Sequence, residues 1–316
     1  MAYSLDDKLV VGISSRALFD LDEADAIFRN QGLDAYRAHQ RANEDVVLKP
    51  GTAFPLVRGL LAINASVDSR LVEVVVISRN DADSGVRVFR SIENHGLDIT
   101  RGAFTGGQDP WPHLGSFHCQ LFLSADPDDV KGALSKGFPA ALVCPPPDGM
   151  DHEAPSEVRI AFDGDAVLFD DESERIYQQQ GLQAFQEREE ALVDEPMQPG
   201  PFKPFLMALR RIQERFPEGG SPVRTLLVTA RGAPAHQRVI NTLRTWGVRI
   251  DETFFLGGVA KTDLLESLRP HIYFDDQMRH LERSQRRTPS AQVPPLTEQL
   301  SFFGDGDGAQ ALRPGA

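Results

Sequence analysis

Apolar residues in this chain fall into two kinds of pattern. Short runs rich in branched residues, such as Val74-Val75-Val76-Ile77 and Leu226-Leu227-Val228, lack polar alternation and predict strands buried on both faces. Longer stretches between them carry helical spacing. The runs place strands at 9–13, 73–77 and 121–123, and again at 157–162, 225–229, 253–256 and 271–275. Helices are predicted between them, for example over 201–216 and 233–246. Strands alternating with helices predict a parallel α/β sheet.

The pattern occurs twice. Ala17-Leu18-Phe19-Asp20, Ile27-Phe28, Gly32-Leu33 and Ala35-Tyr36 return as Val167-Leu168-Phe169-Asp170, Ile176-Tyr177, Gly181-Leu182 and Ala184-Phe185. Pro50-Gly51 answers to Pro199-Gly200, His95-Gly96-Leu97 to Trp246-Gly247-Val248, and Thr105-Gly106-Gly107 to Leu256-Gly257-Gly258. Leu121-Phe122-Leu123 answers to Ile272-Tyr273-Phe274, and all offsets lie between 149 and 151 residues. So many matches in one order predict a tandem duplication, with units near 8–130 and 157–285. Pro145-Pro146-Pro147-Asp148-Gly149 reads as the linker, bounding domains at 1–145 and 150–285. From 286 to 316, Pro, Gly, Ser and Gln dominate and disorder is expected.

The length of 316 residues accommodates two such units with sizeable cores. A net charge of −13 repels a polyphosphate backbone, so nucleic acid and anionic membrane surfaces are poor partners. Cys119 and Cys144, without metal-ligand spacing, read as buried reduced thiols. His113 and His118 lack an acidic neighbour and read as structural or surface residues. The first residues, Met1 to Asp7, lack the basic start and apolar stretch of a signal peptide, and no apolar run is long enough to span a bilayer. A cytoplasmic location is therefore expected.

Sites in open α/β sheets lie at the carboxyl ends of strands. In the second unit those ends carry Asp163-Gly164-Asp165, then Thr229-Ala230-Arg231, then Lys261 after Gly257-Gly258, and finally Asp275-Asp276. An isolated Asp-Gly-Asp is most often a solvated turn, and an isolated Lys261 a surface residue. The four together, in this order, resemble the haloacid dehalogenase-like phosphohydrolases. The segments Ala161–Phe169, Leu227–Arg231 and Pro270–Gln277, with Ser14–Phe19 in the first unit, resemble the cytosolic 5′-nucleotidase I family over about residues 8–285.

That resemblance implies a tandem pair of Rossmann-like units of haloacid dehalogenase type, the first degenerate and the second catalytic. It also implies Mg2+-dependent hydrolysis of nucleoside 5′-monophosphates, AMP-like and deoxynucleotides, to nucleoside and phosphate. Asp163 is then the nucleophile that forms an aspartyl-phosphate, and Asp165 the general acid and base. Thr229 and Lys261 hold the phosphoryl oxygens, and Ala230 and Arg231 are candidate substrate contacts. The metal set is Asp163, Asp165 through its carbonyl, and Asp276, with Asp275 orienting them. A nucleotide effector and a homo-oligomer are both compatible with this reading. A phosphatase of the same superfamily acting on sugar phosphates, and a non-catalytic nucleotide sensor, are the alternatives.

Placing the first unit on the second sets Asp163 and Asp165 on Ile13 (or Ser14) and Ser15, Thr229 on Ser78 and Lys261 on Pro110. Asp275 and Asp276 fall on Ser124 and Ala125. The first unit is expected to hold no metal, to pack on the catalytic unit, and to supply nucleoside contacts or an effector pocket. The stretch 171–200, with Ile176, Leu182, Phe185 and Leu192 at helical spacing, is expected as a cap or a helical pair, matched by 21–50.

Overall fold

Residues 3–150 and 155–294 are described by the structure, a computed structural model. The apolar runs form strands because their branched side chains suit a pleated surface buried on both sides. In chain order these are β1 (Leu9–Ile13), β2 (Val72–Ser78), β3 (Arg101–Phe104), β4 (Leu121–Ser124) and β5 (Ala140–Val143). They continue with β6 (Val158–Phe162), β7 (Val223–Thr229), β8 (Glu252–Phe255), β9 (Ile272–Asp275) and β10 (Ser290–Gln292). All ten lie in one sheet, in the order β3-β2-β1-β4-β5-β10-β9-β6-β7-β8. The runs expected at 9–13, 73–77 and 121–123 are parallel neighbours in it, with Val11 opposite both Val74 and Leu121.

Every strand pair is parallel except β5 with β10, where Val143 faces Ala291. This one reversal has a geometric result. The strands of the second half run against those of the first, so their carboxyl ends emerge at opposite edges of the shared sheet.

The halves interlock. Helix Phe54–Ala62 of the first half packs on β6, and helix Lys203–Gln213 of the second packs on β1. One apolar core therefore runs through both, joining Leu9, Val11 and Ile13 to Val158, Ile160 and Phe162. Cys119 and Cys144 are buried and unbridged. The segment 145–149 carries neither helix nor strand. Among the described residues no helix is long and apolar enough to cross a membrane.

The stretch 171–200 forms a helical pair. Helix Glu172–Ala191 is broken at Gly181, whose φ of 84° a side chain would resist. In the first half Gly32, with φ of 85°, breaks Asp22–Gln31 from Leu33–Ala42 in the same way.

The expectation of disorder from 286 is corrected over 286–294. Cys144 N donates to Ser290 O at 2.9 Å, Tyr273 N to Pro289 O at 2.8 Å and Val293 N to Asp275 O at 3.0 Å, so β10 is bonded on both sides. Backbone pairing, which leaves no mark in side-chain pattern, places this strand. Residues 295–316, including Gly304–Gly308, lie outside the described residues.

Candidate active site

The second half builds its site from three adjacent strand ends. Asp163 follows β6, and its backbone N donates to Phe274 O at 2.8 Å, anchoring it beside β9. After it the chain turns sharply, with Asp165 extended (φ −70°, ψ 141°) and Ala166 left-handed (φ 58°). A left-handed alanine costs on the order of 1 kcal/mol, and the turn lets Asp163 and Asp165 approach one region. The chain then closes against Gly200, where an added Cβ would sit 2.2 Å from the Phe169 carbonyl oxygen.

Lys261 joins the strand ends. Its Nζ lies 2.9 Å from Asp163 Oδ1 and 2.8 Å from Asp275 Oδ2, and donates to Tyr273 Oη at 2.9 Å. Tyr273 Oη in turn donates to Asp275 Oδ2. Asp275 Oδ1 accepts from Gln277 N at 2.8 Å, and His280 Nδ1 is 3.1 Å from Oδ2. Both carboxylate oxygens of Asp275 are thus engaged by neighbouring groups. Thr229, buried at the end of β7, accepts from Arg231 N at 3.2 Å.

Asp276 differs from its neighbours. It is 6% exposed, and its Oδ1 has no hydrogen-bond partner among the described residues. A buried carboxylate oxygen without a donor demands a counter-ion or a proton. Burial, then the charges of Asp163 and Asp275, push its pKa up to about 9. Burial likewise pushes Asp163 up to about 7, against the opposing charge of Lys261. Burial also works against the charge on Asp275, yet Lys261 and His280 hold that group well below the usual carboxylate range. Lys261 stays protonated: burial opposes its charge, but Asp163 and Asp275 outweigh it.

This donor set fits a hard divalent cation, because one ammonium cannot balance three crowded carboxylates and the free oxygen is a hard donor. Among the described residues, Asp163, Asp275 and His280 bring possible ligand atoms within 4.8 Å of one another. Lys261 bridges Asp163 and Asp275, whereas Asp276 Oδ1 has no hydrogen-bond partner among the described residues.

Arg231 does not face open solvent. Its Nε and Nη2 donate to Asp165 Oδ2 and Oδ1 at 2.9 and 2.6 Å, and Nη1 donates to Glu189. Glu189, 1% exposed, also accepts from Arg238 Nη1 at 3.0 Å and Ser173 Oγ at 2.8 Å. The guanidinium lies 5.3 Å from the Phe185 ring centroid. Ala230 contributes a carbonyl that accepts from Gly258 N at 3.1 Å.

A family model described as 5′-nucleotidase matches residues 1–299. The chain belongs to the 5′-nucleotidase family. Human cytosolic 5′-nucleotidase 1B is 39% identical to it over 291 residues, which are 88% of this chain and 47% of that protein. The chain thus spans about half the length of the curated relative it matches. No solved structure matches the chain.

Within this member of the family, the structure gathers Asp163, Thr229, Lys261, Asp275 and Asp276, all singled out by sequence, around the adjacent ends of β6, β7 and β9. Sequence reasoning missed Tyr273, His280, Glu189 and Arg238. Tyr273 stands two residues before Asp275, hence on the same face of β9, and His280 follows Asp275 by five residues, so both left a faint positional signal. Glu189 left none, since an acid in a Glu-rich helix reads as solvated.

Proposed function

We propose that this chain hydrolyses nucleoside 5′-monophosphates to nucleoside and phosphate through an aspartyl-phosphate on Asp163. The supporting observation is the convergence of Asp163, Lys261, Thr229 and the unpartnered Asp276 oxygen at adjacent strand ends. Family membership supports the monophosphate ester as substrate, and the name of the human relative supports a cytosolic setting.

Phosphate monoesters resist attack because the nucleophile meets an anion, so a site must supply alignment and positive charge. Asp163 is fixed by its backbone bond to β9, which directs one carboxylate oxygen at the phosphorus. Lys261 and the Thr229 hydroxyl hold phosphoryl oxygens as charge develops on them. Asp163 and Asp276, with the Asp165 carbonyl, would hold Mg2+. When bound, the ion neutralises phosphoryl charge. Asp165 protonates the departing 5′-oxygen and then takes a proton from the water that cleaves the aspartyl-phosphate. To carry a proton it must part from Arg231, and a phosphate entering beside Arg231 competes for that guanidinium.

The two-unit reading belongs to this proposal. The strand orders β3-β2-β1-β4-β5 and β8-β7-β6-β9-β10 support a duplication, with one half catalytic. Phosphate release from a panel of nucleoside and sugar monophosphates, with and without Mg2+, tests the function. Release from sugar phosphates alone, or from none, would overturn it.

A further inference from the structure

The first half contains a cavity of about 570 Å³ at the carboxyl ends of β1, β2 and β4. Its position flanks the point where the strand order reverses around β1, where open α/β sheets bind ligands, and its volume suits a small molecule. Because the two halves run antiparallel, it opens at the sheet edge opposite the catalytic site. It therefore cannot supply nucleoside contacts to that site, as the sequence suggested.

The first half mirrors the catalytic half at several positions, with neutral groups at some of its charged ones. Ser14 N donates to Leu123 O at 2.8 Å, just as Asp163 N donates to Phe274 O at 2.8 Å, so Ser14 rather than Ile13 stands at the nucleophile's position. Arg231 bonds Asp165; its counterpart Asn80 accepts from Ser15 Oγ at 3.3 Å and Ser78 Oγ at 3.0 Å. Arg238 donates to Glu189; Arg87 donates to the amide of Gln40 at 2.9 Å. Serine, asparagine and glutamine thus replace aspartate, arginine and glutamate.

The rim, by contrast, is kept. Phe28 and Tyr36 pack edge to face with centroids 6.1 Å apart and an interplanar angle of 80°. Tyr177 and Phe185 do the same over the catalytic half, at 6.3 Å and 81°. Tyr36 Oη accepts from Asn80 Nδ2 at 2.9 Å, tying the aromatic rim to the polar floor. Phe28 is 48% exposed and lines the cavity, so its ring is open to a ligand there.

Charge decides the ligand class. Six aspartates and three arginines line the cavity, and the arginines are already paired, as Arg37 is to Asp81 at 2.6 Å and Arg79 to Asp129 at 2.7 Å. A phosphate dianion would enter a net-negative cavity with no spare cation. An uncharged ring carrying hydroxyls meets what is there: aromatic faces above, hydroxyl and amide groups below.

We propose that the first half binds an unphosphorylated nucleoside at this cavity, as a second site remote from catalysis. The choice of a nucleoside among neutral hydroxylated rings rests on the function proposed above. The nucleotide effector anticipated from sequence does not fit here, for want of a cation to meet its phosphates.

The test is calorimetric titration of adenosine, guanosine, cytidine and uridine, with AMP and inorganic phosphate alongside, into the full chain bearing Asp163→Asn. At least one nucleoside should bind a site that Phe28→Ala or Asn80→Ala weakens about tenfold, the scale of one lost base-stacking contact. AMP and phosphate should bind that site more weakly. In the otherwise wild-type chain, Phe28→Ala should leave kcat and KM unchanged. Nucleoside binding untouched by either substitution, or tighter binding of AMP or phosphate at that site, would overturn the inference. Phosphate release failing while first-half binding holds would remove the proposed function and leave the site standing.

Discussion

Arg231 grips both carboxylate oxygens of Asp165, at 2.6 and 2.9 Å, from a position only 4% exposed. A bidentate pair of this kind fixes the orientation of the carboxylate as well as binding it. The proton donor of the proposed reaction is thus anchored by Arg231. Asp165→Asn keeps the backbone carbonyl but cannot donate or accept the proton. Turnover should fall about 10²–10⁴-fold, with Mg2+ binding retained by calorimetry; loss of Mg2+ binding would contradict the assigned ligation.

Asp163→Asn should abolish phosphate release while the circular dichroism spectrum stays native. The amide cannot form the aspartyl-phosphate, yet its backbone bond to β9 remains. Turnover within about tenfold of wild type would remove Asp163 as nucleophile.

Glu189 is the one acid shared by Arg231 and Arg238. Replacing it with alanine leaves two buried guanidinium groups short of a partner, which costs about 3–5 kcal/mol. Chemical denaturation should show this loss, whereas Glu189→Gln, copying Gln40 of the first half, should lose less. Equal losses would mean that charge at this position is irrelevant.

Adding Mg2+ at a hundredfold excess over its Kd should stabilise the chain by about 2.7 kcal/mol, or about 4 °C in Tm for a folding unit of this length, and EDTA should reverse the gain. Asp276→Asn should raise the metal-free Tm, because it removes one of three crowded buried carboxylates, and should shrink the Mg2+ shift. A full shift in that variant would place the ion elsewhere.

A chain ending at Pro289 lacks β10, and so loses the strand that joins β5 to β9. It should aggregate or melt well below the full chain in a thermal scan. Unchanged melting would show that the halves cohere through their helices alone.

The parts of the fold that sequence disclosed are those where side chains carry the information. Val74–Ile77 and Leu226–Val228 are buried strands as their pattern predicts, and Asp163, Thr229 and Asp275 stand at strand ends, while Lys261 lies six residues past β8, where the helix Thr262–Leu268 begins. What escaped notice depends on partners distant in the chain. β10 has only Ala291 as an apolar residue, and its place is set by backbone bonds to β5 and β9. The alignment of Ser14 with Asp163, left undecided against Ile13 by sequence, was settled by one main-chain bond. The Glu189 network joins residues 16 to 66 positions apart, beyond the reach of any local pattern.

The strand at the middle of this sheet, β10, is also the last of the described strands that synthesis delivers. β5 can pair with β4 early, but its other edge stays open until more than 140 further residues have followed. During that interval a central, apolar strand offers unpaired N–H and C=O groups to whatever is nearby. A nascent first half is therefore an aggregation hazard on its own, and closing the seam requires a contact of high sequence separation, which folds slowly. The order of the strands makes the two halves one folding unit in time as well as in space: neither completes its sheet until the chain has returned to stitch them together.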